Sequence, residues 1–165
     1  MPTAAPLTRD LTINGVGLAA VSVIGLVASM IVVGGNATRV IVPWVIVLLV
    51  LGLAQVVVGG GWLRNAIQDA PDAPDGLDIE SPADQVKRAG LPTVVAAALV
   101  LLALVVVPPF APIVAGLAAG AAATDLRSRK WLLADEESQG ITIVREITPL
   151  PFATSRKRLW ARDTA

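Results

Sequence analysis

The chain of 165 residues contains no cysteine, no histidine and no tyrosine, and only 16% of its residues are charged. Without cysteine, it can form no disulfide and has no thiol nucleophile. The absence of histidine as well excludes zinc, haem and copper sites built on Cys or His ligands, together with histidine-dependent acid–base chemistry. These gaps remove many common catalytic centres, and no remaining motif indicates another. We therefore expect no enzymatic activity, no cofactor and no metal site.

What the chain has in excess is apolar surface. Hydrophobic residues make up 55% of it and the mean hydropathy is +0.71, whereas soluble domains carry about a quarter charged residues. The apolar residues are concentrated in uncharged runs that are too long for a buried core helix. The sequence therefore predicts a multi-pass membrane protein of the all-α class, built as a four-transmembrane-helix bundle.

Two apolar runs near the N-terminus predict the first transmembrane hairpin. They extend from about Leu11 to Gly35 and from about Val40 to Leu63. A helix of about 24 residues is about 36 Å long, which exceeds the ~30 Å hydrocarbon core of a bilayer. The first run is too long for the apolar part of a signal peptide, and a second run follows at once. We interpret both as retained spans.

The third and fourth runs, about Leu91–Val107 and Phe110–Thr124, are shorter and are separated by Pro108 and Pro109. Adjacent prolines break a continuous helix. The pair is either a re-entrant hairpin or two full spans that meet at a tight Pro-rich turn, and both arrangements leave its ends on one side. We favour two spans, with the fourth helix continuing through Trp131.

Polar segments divide the chain into five parts. In the loop, Ser81 is a candidate N-cap of a short helix that starts with Pro82. In the tail, Gly140 is a candidate helix stop, and the β-branched residues of "ITIVREITPL" predict a short strand. The predicted parts are an N-terminal tail (1–10), a transmembrane hairpin (11–63), an acidic Pro-rich cytoplasmic loop (64–90), a second hairpin (91–126) and a basic cytoplasmic tail (127–165).

The distribution of basic residues predicts the orientation. Twelve of the 13 Lys and Arg residues fall in the N-terminal tail, the 64–90 loop and the C-terminal tail, and Arg39 alone falls on the opposite side. Basic residues accumulate on the cytoplasmic side, so both termini are expected there. Trp44 and Trp62 lie near opposite ends of the second span, as interface anchors would. The Ala, Val and Gly richness, with Arg favoured over Lys, indicates a high-GC bacterial genome and hence a plasma (inner) membrane.

Candidate helix-packing residues are Gly116, Gly120 and Gln55. The two glycines form a G-x-x-x-G pair, which lets helix backbones approach closely in lipid. They pack either within the chain or against a second copy or another membrane protein. Gln55 is the one strongly polar residue well inside a span. It either makes an interhelical hydrogen bond or lines a path for a substrate.

Two polar clusters outside the spans were considered as binding sites. The tail places Arg156, Lys157, Arg158 and Trp160 close together, which predicts contact with an anionic membrane surface. The alternative is a disordered tail that only determines topology. Four loop aspartates recur every third residue but lack the glycine and terminal Glu of a calcium loop, so we interpret them as part of a solvated linker; they are Asp69, Asp72, Asp75 and Asp78.

The functional hypothesis that follows is a non-catalytic accessory or scaffold subunit of a membrane complex. Its expected partners are membrane lipid and either another membrane protein or a second copy of the chain; no feature indicates nucleic acid. The main alternative is a small oligomeric permease or flippase for a neutral or lipid-like substrate. A phage holin-like pore former also fits the size and the basic tail.

Overall fold

The computed structural model of the chain describes residues 3–33, 36–54, 65–147 and 159–163. Helices account for 75% of it. Four of them are long and apolar enough to cross a membrane when the short helix that leads into the third is counted with it. The helices are α1 (Leu7–Val32), α2 (Ala37–Ala54), the short α3 (Pro82–Ala89), α4 (Leu91–Val106) and α5 (Ala111–Gln139).

The second helix pair consists of two helices joined by a proline turn, which is common to the two arrangements that the sequence left open. α4 ends at Val106, and a 3₁₀ turn at Pro108–Phe110 leads directly into α5. α5 has 29 residues and continues through Trp131, as expected. It ends at Gly140, whose φ of +67° lies in the left-handed region that glycine adopts without strain.

Small residues set how closely the long helices pack. α5 contacts α1, α2 and α4. Leu18 of α1 is buried with Ala118 and Ala122 of α5. Gly25 of α1 lies so close to Val100 of α4 that an added Cβ would lie 2.9 Å from a Val100 methyl carbon. Close backbone approach of this kind is how helices associate in lipid.

The outward faces of these helices are apolar and exposed. In α2 only Val40 is buried, and in α4 only Val100. Val105 is 82% exposed and Ile31 is 75% exposed. Exposure of so many large apolar side chains would be costly in water at about 25 cal/mol per Å². Faces of this kind are suited to contact with lipid or with another membrane helix.

A four-stranded sheet adds to the all-α fold that the sequence predicted. Its order is β2-β1-β3-β4, with β1 parallel to β2 and antiparallel to β3, and β3 antiparallel to β4. Only β3 falls in a segment predicted to be a strand. The strands are β1 (Thr3–Pro6), β2 (Asp78–Ile79), β3 (Ile141–Glu146) and β4 (Leu159–Asp163).

Each face of the sheet has its own apolar core. One core joins Ile143 of β3 to Leu7 of α1 and Leu132 of α5. On the other face, Trp160 packs with Ala4 and Val144 beneath loop residues that include Leu77 and Ile79. The sheet therefore unites the N-terminal segment, the 65–90 loop and the C-terminal tail at one end of the long helices. We call this assembly of strands, loop and α3 the sheet module.

Candidate functional site

A buried carboxylate lies where the sheet module meets the first turn of α1. Asp10 is 5% exposed. Its oxygens accept hydrogen bonds from Gln85 at 2.8 Å, from Arg88 at 2.8–3.1 Å and from Arg145. Asp10 belongs to α1, Gln85 and Arg88 to α3, and Arg145 to β3. One side chain thus joins three segments that are far apart in the sequence.

Arg88 extends this cluster to a second carboxylate. Its Nε and Nη2 atoms donate to the Glu80 carboxylate at 2.8–3.2 Å while Nη1 and Nη2 donate to Asp10. Such forked arginine–carboxylate pairs are geometrically specific. The start of α3 positions Arg88. The Ser81 hydroxyl caps the helix by accepting a hydrogen bond from the backbone N–H of Asp84, as predicted. Gln85 and Arg88, three residues apart, then share one helix face.

We call Asp10, Glu80, Gln85, Arg88 and Arg145 the clasp. Two carboxylates face two guanidinium groups, so the clasp is electrically balanced. Burial lowers the pKa of Arg145, while the field of Asp10 raises it, and an arginine retains its proton at physiological pH. Charges that are satisfied by one another in this way suit a structural connection better than acid–base chemistry.

A second polar contact lies about one turn further along α1. The Asn14 side-chain amide donates to the Asp125 carboxylate of α5 at 2.5 Å. The helices are very close here, because an added Cβ on Gly15 would lie 3.3 Å from the Asp125 Cβ. Within the described residues, Asn14 Oδ1 and Thr93 Oγ1 are the buried side-chain oxygens without a hydrogen-bond partner.

The loop aspartates border an open cleft on the outer side of the sheet module. Asp72 and Asp75 line it together with Arg162 and Asp163 of β4, and its volume is about 370 Å³. Over residues 3–33, 36–54, 65–147 and 159–163, no group of three or more Asp, Glu, His or Cys residues is arranged to hold a metal ion. The regular spacing of the aspartates in the sequence therefore does not bring three of them together as metal ligands.

The two predicted packing glycines lie between helices of the same chain. A Cβ on Gly116 would lie 3.0 Å from the Trp44 carbonyl oxygen, and one on Gly120 would lie 2.5 Å from a Leu51 methyl carbon. The G-x-x-x-G face is therefore occupied by α2. This is the first of the two arrangements that the sequence left open.

The remaining predicted site residues are Gln55 and the tail residues Arg156, Lys157, Arg158 and Trp160. Gln55 and the basic residues Arg156, Lys157 and Arg158 lie outside the described residues, so their roles stay predictions. Trp160 is 7% exposed and packs inside the sheet module against Ala4 and Val144. The Trp160 ring is buried in the protein core, whereas the sequence predicted that it would contact the membrane surface.

Sequence reasoning did not single out the clasp. The sequence pattern assigns Glu80 to an acidic loop and Asp10 to the N-terminal tail, and neither segment has a feature that predicts a buried carboxylate. One signal was present in β3, where Arg145 alternates onto the same strand face as Ile141 and Ile143. A basic residue on the apolar face of a predicted strand requires a partner, since buried charges are paired.

Comparison with known proteins adds no relative: no protein-family model, no curated protein and no solved structure matches the chain. The class rests on the structure itself. Four apolar helices of spanning length make this a multi-pass membrane protein. Its distinguishing features are the sheet module at one end of the helices and the clasp that connects the two.

Proposed function

We propose that the protein is a small accessory or scaffold subunit of a membrane complex, non-catalytic, whose helices hold the sheet module at the cytoplasmic face of a bacterial plasma membrane. The observation that carries this proposal is the clasp. It fastens three remote segments into one unit at the helix ends through Asp10, Arg88 and Arg145. A rigid surface presented at the membrane is what a scaffold needs.

The sheet also supports the proposed topology. β1 precedes α1 directly, β2 lies in the loop between the helix pairs, and β3 follows α5. Strands that pair with one another must lie on the same side of a bilayer, so an even number of spans must separate them. The twelve basic residues on that side favour the cytoplasm.

Reporter fusions at Asn36 and after Ala165 test this orientation. We expect a periplasmic signal at Asn36 and a cytoplasmic signal at the C-terminus, and the reverse would refute the orientation.

Polar side chains within the long helices favour a structural role over the alternative of a permease or flippase. Ser22 of α1 accepts a hydrogen bond from Trp44 of α2 at 3.0 Å, and Ser29 donates to the Gly25 carbonyl at 2.7 Å. The first of these bonds joins two helices and the second satisfies the Ser29 hydroxyl within α1, so both groups have partners inside the protein. Trp44, which its position suggested as an interface anchor, thus points its ring nitrogen toward another helix.

The exposed faces of α2 and α4 supply the surfaces for lipid, another membrane protein or a second copy. Because Gly116 and Gly120 already contact α2, a partner helix would meet large aliphatic side chains such as Leu49 and Leu101, which are 64% and 63% exposed. Association would depend on shape and polar contacts, since lipid tails are as apolar as leucine.

The test is partner retention when the clasp is broken. The chain is cross-linked in intact membranes, solubilised gently and analysed by mass spectrometry, in parallel with Asp10→Asn and Asp84→Asn. Asp84 is exposed, pairs with Lys87 and accepts a hydrogen bond from the Ser81 hydroxyl at 2.7 Å. The asparagine in Asp84→Asn would keep an acceptor oxygen for Ser81 and lose only the charge, so this variant is the matched control. We expect Asp10→Asn to lose a specific partner that the wild type and the control retain. Equal retention by all three would contradict the proposal, and lipid or solute movement by the pure chain in vesicles would favour the permease.

A further inference from the structure

Two buried oxygen atoms without partners lie between three helices near the sheet module. Asn14 Oδ1 and Thr93 Oγ1 are enclosed by protein, and no described group bonds to either. A buried polar atom left unpaired costs about 1–3 kcal/mol, so native proteins normally fill such a site with water or an ion.

Both residues lie along one side of α1. Asn14 and Gly17 are three residues apart and therefore lie on the same side of α1. A Cβ on Gly17 would lie 2.2 Å from Thr93 Oγ1, so the threonine oxygen of α4 rests against this face. Asn14 also holds the Asp125 carboxylate of α5. Amide, hydroxyl and carboxylate oxygens from three helices thus lie along one side of α1 within about one helical turn.

Charge distinguishes an ion from a water molecule at this position. The clasp balances itself, because two arginines face two carboxylates. Asp125 is a further carboxylate, which accepts a hydrogen bond from Asn14 and forms no ion pair among the described residues, while the nearby Arg145 guanidinium is hydrogen-bonded to Asp10. One negative charge in this partly buried region is left without its own counter-charge, and a water molecule would not supply one.

We propose that Asn14 Oδ1, Thr93 Oγ1 and the Asp125 carboxylate bind one monovalent alkali cation, Na⁺ or K⁺. Hard cations take oxygen ligands such as carboxylate and amide carbonyl oxygens. A single carboxylate among the ligands matches a single positive charge. The cation would neutralise Asp125 and satisfy both unpaired oxygens, joining α1, α4 and α5 just beneath the clasp. The inference requires only these helices and does not depend on the scaffold role.

The experiment is thermal unfolding of the full chain in detergent at constant ionic strength and pH. NaCl or KCl replaces N-methyl-D-glucamine chloride stepwise. A ligand that binds the folded state alone raises the unfolding temperature in a saturable way. We expect such a curve for at least one alkali ion. A flat response in both series would overturn the proposal and leave structural water as the occupant.

Matched variants locate the site. Thr93→Val removes the oxygen at nearly constant size, and Asp125→Asn removes the charge; both are expected to abolish the saturable rise. Thr93→Ser keeps the hydroxyl oxygen and should therefore retain the saturable rise that Thr93→Val loses. Ser22→Ala perturbs α1 elsewhere, at its bond with Trp44, and should retain the response even if the baseline unfolding temperature falls.

Two further outcomes would refute the assignment. A saturable response that persists unchanged in both Thr93→Val and Asp125→Asn would place the cation elsewhere. A transition that depends on pH and is indifferent to the alkali ion would show that a proton, not a metal cation, neutralises Asp125. If a variant does not fold, the ion series on the wild-type chain still decides whether a cation binds.

Discussion

Replacing Asp10 with asparagine removes the central negative charge of the clasp while the size of the side chain is nearly unchanged. Arg88 retains its contact with Glu80, but Arg145 loses the one carboxylate that it contacts directly among the described residues. Removing one partner of a fully buried pair costs about 3–5 kcal/mol. The arginine side chains here are 28% and 23% exposed, so water offsets part of this cost.

We therefore expect Asp10→Asn to destabilise the attachment of the sheet module by about 2–3 kcal/mol. Since about 1.4 kcal/mol is a factor of ten, the open population of the sheet rises about 30- to 150-fold. Amide hydrogen exchange reports such local opening. In β3, at Ile141–Glu146, exchange should accelerate by this factor, while exchange in the middle of α5 stays close to that of the wild type.

Asp84→Asn is the control for this prediction. Asp84 pairs with Lys87 at 3.5 Å, and both side chains are mostly exposed, so its loss should cost about 0–1 kcal/mol. Wild-type exchange of β3 in Asp10→Asn would refute the reasoning. So would equal acceleration in both variants, because the clasp would then contribute no more than a surface ion pair.

Two other substitutions test the packing of the long helices. Gly120→Ala places a methyl group against Leu51 and should destabilise the folded chain by about 1–3 kcal/mol, measured by unfolding in mixed micelles. The control is Gly52→Ala, where an added Cβ meets nothing within 4 Å. It should be neutral or slightly stabilising, and a larger loss for Gly52→Ala than for Gly120→Ala would contradict the packing argument. Ser22→Ala removes the acceptor for Trp44 and should cost about 0.6–1.7 kcal/mol; no loss would show that this hydrogen bond contributes nothing.

Much of the helical framework follows from local sequence. The uncharged runs, the prolines after Val107, the Ser81 cap and the stop at Gly140 are local signals, and the helices of the described residues agree with them. The part of the second predicted span from Gln55 to Leu63, with Trp62, lies outside the described residues. α1 begins at Leu7, four residues before the predicted span, because Leu7 packs into the sheet module.

The sheet could not be predicted from local sequence in the same way. β2 has two residues inside an acidic loop, and β1 is Thr-Ala-Ala-Pro. Neither has the length or β-branched content of a strand signal. β1 is a strand because it pairs with β3, over 130 residues away, and β2 pairs in turn with β1. The clasp depends on the same long-range pairing, since β3 brings Arg145 to Asp10.

The N-terminal segment and the C-terminal tail meet in one sheet at the same end of the helices, and the sheet module depends on this pairing. The chain has no cysteine, so paired cysteines at Ala4 and Glu146, which are opposite each other in β1 and β3, report on this directly. In native membranes treated with an oxidant, we expect this pair to form a disulfide rapidly, so that neither thiol reacts with maleimide–polyethylene glycol. A control pair of cysteines at Ala4 and Asn36 should stay reduced and should react. Free thiols at 4 and 146 after oxidation, or cross-linking of 4 to 36, would contradict this pairing.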